Sequence, residues 1–133
     1  MIISFFVLLV SYANYPDDVL VYASGVSEPV TYLSRDSVFY IALGFFVLIN
    51  SAPIGIGAVL KKLPSETILT RAGLGITQIF ANLFLAADVH FLSILNSREN
   101  FNYANFGYLI YVTGVLMIIS IGFTLIARFV LKK

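Results

Sequence analysis

Residues 71–96 constrain the fold more than any other stretch, because 72–87 carry no charge and the polar side chains keep to one side. An uncharged run of that length suits a membrane-crossing helix, which needs about 20 apolar residues. At about 100° per residue, Arg71, Gly75, Gln78, Asn82, Ala86 and Ser93 share one narrow face. Ile76, Phe80, Leu83, Phe84, Phe91 and Ile94 cover the opposite side. A lone helix in lipid meets hydrocarbon all round and has no cause to be sided. Small residues let a neighbouring helix approach, and carboxamides in hydrocarbon need a hydrogen-bonding partner. The stripe through Gln78 and Asn82 is therefore expected to face protein. Asn50 or Ser51, Ser120 or Thr124, or a second protein, would supply the partner.

Composition supports the same class. The chain is 59% hydrophobic and 11% charged, with a mean hydropathy of +0.94. A soluble domain of 133 residues would leave much of that apolar surface in water, so an integral membrane protein in a lipid bilayer is expected. A net charge of +1, with no basic patch beyond the helix ends, argues against a nucleic-acid partner. The absence of cysteine excludes disulfides, thiolate zinc sites and iron–sulfur clusters built from this chain.

An all-α bundle of four transmembrane helices is expected, over about 1–15, 38–60, 70–95 and 106–129, in one domain covering 1–133. The first is short for a bilayer. A signal peptide is the competing reading, but it lacks a basic leading segment and a good small-residue cleavage site. A start placed too far downstream also explains the shortness. Between 15 and 37 lies an acidic loop with Asp17, Asp18, Glu28 and Asp36. Val19 and Val21 alternate with Leu20 and Tyr22, Ser24-Gly25 signals a turn and 30–33 is β-rich, so a small hairpin or a flap on the membrane surface is expected. Pro53 in the second helix frees the carbonyl of Ile49 and predicts a kink, with Asn50 or Ser51 able to answer it. Pro64-Ser65 breaks the chain, and Ser65 or Thr67 can cap the next helix.

Lys61, Lys62 and Arg71 flank one loop and Arg128, Lys132 and Lys133 the C-terminal end, whereas the 15–37 and 96–105 loops hold only Arg35 and Arg98. The positive-inside rule then places both termini in the cytoplasm and both acidic loops outside. Tyr103, Tyr108 and Tyr111 read as an aromatic belt at one interface.

The candidate site residues are amides and small side chains. Gln78, Asn82 and Gly75 lie on the polar stripe; Gly44, Ser51, Gly55 and Ala58 form a small face on the second helix. Gly107, Gly114 and Gly122, with Gly57, suggest a further contact surface for other membrane subunits. Asp88 and His90 are the titratable pair within a span and candidates for a cofactor or proton contact. Two residues apart on a helix, they point to different sides, and a lone histidine argues for a structural or interfacial role. No nucleophile–base set, paired carboxylates at depth or histidine cluster can be assembled, so neither catalysis nor a bound cofactor is expected.

Pro16, Val19, Val21, Gly25, Glu28-Pro29, Ser34 and Arg35 form a pattern that resembles small bacterial membrane proteins related to the immunity/signal protein for the sporulation-delay toxin. Tyr22 stands where that family has a histidine, and the aspartate after the proline is missing. The resemblance covers 15–44 and implies a multi-pass protein of the bacterial cytoplasmic membrane. The leading expectation for function is a non-catalytic accessory subunit packed against a larger membrane complex. A sensor or immunity-type protein using the 15–37 loop is one alternative. A small oligomeric transporter is another, though it would want a carboxylate at mid-depth.

Overall fold

The computed structural model describes residues 1–22, 31–60, 68–97 and 104–130. The expected turn at Ser24-Gly25, together with Glu28, Pro29, Lys61, Lys62, Pro64, Ser65, Thr67, Arg98, Tyr103, Lys132 and Lys133, lies outside them. The order of elements is α1 (Ile2–Asn14), β1 (Asp18–Tyr22), β2 (Thr31–Ser34), α2 (Arg35–Leu60), α3 (Ile68–Leu95) and α4 (Ala104–Val130).

Three of these helices, α2, α3 and α4, are long and apolar enough to cross a membrane. Their 26, 28 and 27 residues extend about 40 Å each, against a hydrocarbon core of about 30 Å. α1 is not among them, so three candidate spans stand where four were expected. Its 13 residues reach only about 20 Å, because Pro16 and the strand that follows end the helix early. It enters at the hairpin end of the molecule and stops with Met1 beside Asn50 and Asn82, near the midpoint of α3.

α3 is the central element: α1 and α2 pack on one side of it and α4 on the other, with no contact between α2 and α4 among the described residues. An antiparallel seam joins α3 to α4. A Cβ on Gly73 would stand 2.5 Å from Thr124 Oγ1 and 3.2 Å from its Cα, so the two backbones approach as closely as glycine permits. Farther along, Phe84 lies over Gly114 and Phe91 over Gly107, two glycines one heptad apart meeting two rings one heptad apart. The apolar face of α3, opposite the polar stripe, therefore packs on α4 through Phe84 and Phe91.

The hydrophobic core is gathered at one end. Leu8, Tyr15, Val19, Val38, Ala42, Leu85 and Val89 pack where α1, the hairpin, α2 and α3 converge. Leu8 is 1% exposed and Val19 fully buried. β1 and β2 pair antiparallel with Asp18 opposite Ser34 and Val19 opposite Leu33, and a bulge falls at Val21. The expected hairpin is thus present, and its alternation turns Val19 inward. Tyr15 ties α1 to α3 by donating its hydroxyl proton to the Val89 carbonyl at 2.8 Å. Burial raises its pKa above the ordinary value, so it remains a donor. On the outer surface Arg35 pairs with Asp17 at 3.4 Å, and Tyr12 donates to Asp36 at 2.8 Å.

Candidate functional site

Near the middle of α2 and α3 the fold brings three carboxamides together. Asn50 of α2 faces Asn82 and Gln78 of α3, and each asparagine donates to the other at 3.2 Å. Gln78 Nε2 donates to Asn50 Oδ1 at 3.1 Å. The remaining donors of the asparagines return to the helices, Asn50 Nδ2 to the Phe46 carbonyl at 2.7 Å and Asn82 Nδ2 to the Gln78 carbonyl at 2.9 Å. Asn50 is therefore the partner of the polar stripe, while Ser51 is exposed and turns to the Leu48 carbonyl at 3.4 Å. Neither residue answers the Ile49 carbonyl freed by Pro53, and α2 continues unbroken through the proline.

A donor and acceptor count exposes an asymmetry. Asn50 uses both N–H donors and accepts twice, and Asn82 uses both donors. Gln78 contributes one N–H; its Oε1 and second N–H have no partner among the described residues. Those two groups border open space. One cavity of about 290 Å³ is lined by Met1, Asn50, Gln78, Ile79 and Asn82. A second, of about 390 Å³, runs along Pro53, Ile54, Gly57, Arg71, Leu74, Gly75 and Gln78. They meet at Gln78. Together they form a groove between α2 and α3. Gly75 borders it with nothing within 4 Å of where a Cβ would stand.

The glycines expected to form one further surface divide between two settings. Gly107 and Gly114 face the rings of α3 and belong to the internal seam, because the antiparallel course of α4 brings them over Phe91 and Phe84. Gly57 and Gly122 open onto free space, as does Gly55 of the small face on α2. The closest approach of all, Gly73 against Thr124, was not singled out from sequence. Gly73 and Thr77 stand four apart, a small-residue pair that could have marked it.

Asp88 and His90 separate. His90 is exposed, while Asp88 is half-buried and lines a cavity of about 230 Å³ beneath the hairpin. Every other wall residue is apolar: Val21 and Leu33 from the hairpin, Val38, Ile41, Ala42 and Phe45 from α2, and Leu85, Val89 and Leu92 from α3. No cluster of metal-binding side chains occurs among the described residues. Comparison with protein families, curated proteins and solved structures returns no match.

Proposed function

We propose that this protein is a non-catalytic subunit of a larger membrane complex, and that its α2–α3 groove receives a transmembrane segment of a partner protein. The observation behind this reading is the Gln78 amide, whose carbonyl and second N–H border the groove without a partner among the described residues. Lipid tails offer neither donor nor acceptor, so an amide left open at this depth costs free energy. A helix with a hydroxyl or amide at the same depth satisfies both groups at once. Gly57 and Gly75 in the walls allow its backbone to come close. The polar residues gathered here are carboxamides, which neither titrate near neutral pH nor serve as nucleophiles, and this supports a binding role over a catalytic one.

The element order sets the hairpin at the end opposite the close of α4. In the proposed orientation the acidic hairpin lies outside and the C-terminus in the cytoplasm of a bacterial cell. A reporter active only outside the cytoplasm, fused after Lys133, is then silent; activity there reverses the orientation.

A photocrosslinking residue at Ile54, exposed in the groove wall, tests the groove in native membranes. One membrane protein is captured at Ile54 and none at the outward-facing Ile119, 60% exposed on α4. That protein co-purifies in fixed ratio with the native chain and is lost with Gln78→Leu. Adducts with lipid alone, or with a second copy of this chain, overturn the reading.

A further inference from the structure

We infer that the cavity beneath the hairpin binds a lipophilic organic cation, an alkylamine, with the Asp88 carboxylate as its counter-ion. This inference rests on a different cavity from the partner groove and stands independently of it. Asp88 makes no hydrogen bond or ion pair among the described residues, and the surfaces facing it, from Val21 and Leu33, Val38 and Phe45, and Leu85, are apolar. It is half-buried among these apolar side chains, six to seven residues, or about 10 Å, from the midpoint of α3. A carboxylate there is stable only beside a positive charge or with a proton.

The walls select which positive charge. A calcium or magnesium ion needs several oxygen ligands, and the cavity offers one carboxylate. An amine needs one counter-charge and brings an apolar chain that matches the rest of the lining. The volume of about 230 Å³ suits a short alkyl chain. Entry is from the bilayer, because Ile41 and Phe45 at the mouth are 51% and 55% exposed on the lipid-facing side of α2.

Among the described residues no other titratable group lines the cavity from the hairpin, α2 or α3. Asp17 pairs with Arg35 and Asp36 accepts from Tyr12 on the outer surface, Tyr15 donates to Val89, and His90 is exposed. A proton on Asp88 and the amine therefore compete for one site, and binding weakens as pH falls.

The test titrates 8,8,8-trifluorooctylamine into nanodiscs carrying the full chain, read by fluorine NMR, with the matching alcohol and empty nanodiscs as controls. The expected result is saturable binding of the amine and not of the alcohol. Affinity falls at least tenfold in Asp88→Asn and survives in Asp88→Glu. Ile41→Trp, at an exposed position that leaves the core untouched, narrows the mouth and also weakens binding. Amine uptake that equals that of the alcohol or of empty nanodiscs, or that is unchanged in folded Asp88→Asn and in Ile41→Trp, overturns the inference.

Discussion

The side chain of Asn96 pairs with the backbone of Leu20 as a neighbouring strand would. Its Oδ1 accepts from the Leu20 N–H at 2.7 Å, and its Nδ2 donates to the Leu20 carbonyl at 3.0 Å. β1 has β2 on one edge; on the other, Asn96 meets the groups that an open edge leaves bare. The same Nδ2 also closes on the Leu92 carbonyl at 2.8 Å, which fixes the amide to the last turn of α3. One side chain thus joins the hairpin to the central helix.

Asn96→Ala should release the hairpin from α3. Two backbone groups lose their partners, at about 1–3 kcal/mol for the pair. Hydrogen exchange checks it: the Leu20 amide should lose protection while amides in the middle of α3 keep theirs. Unchanged protection at Leu20 would show that the core beneath the hairpin holds β1 unaided.

Two glycines on α3, two residues apart, should respond in opposite ways to the same methyl group. At Gly73 the new carbon meets Thr124, including its backbone, whereas at Gly75 it meets nothing within 4 Å. Gly73→Ala should force α3 and α4 apart and lower stability by about 1–3 kcal/mol. Gly75→Ala should be neutral or slightly stabilising in the isolated protein, because alanine is the better helix former. Thermal melts of both variants in one detergent decide this, and equal melting temperatures would refute the seam as described.

The amide cluster makes a graded prediction. Asn82→Leu leaves Asn50 without its reciprocal partner and should cost about 0.6–2 kcal/mol. Gln78→Leu should cost less, since Gln78 brings one side-chain bond to the cluster at 3.1 Å. Denaturant titrations of the two variants measure the order. A larger loss for Gln78→Leu would mean that its open amide groups already have partners within the protein.

The spans, the hairpin and the polar stripe of α3 were legible in the sequence, because each is a local matter. Apolar length against bilayer thickness marks α2, α3 and α4, and the alternation around Val19 marks β1. The period of 3.6 puts Gln78 and Asn82 on one face, and hydrocarbon demands that such a face find a partner. Which partner it finds is not local. Tertiary structure decided that Asn50 completes the cluster, that Gly73 rather than Gly75 takes the closest helix contact, and that Gly107 and Gly114 turn inward. It also decided that Gln78 borders a groove between α2 and α3, and that the hairpin covers the cavity beside Asp88 while His90 is exposed. A helical period specifies the angle at which a side chain leaves its own axis, whereas these outcomes depend on where a second axis lies, and only packing the helices against one another sets that.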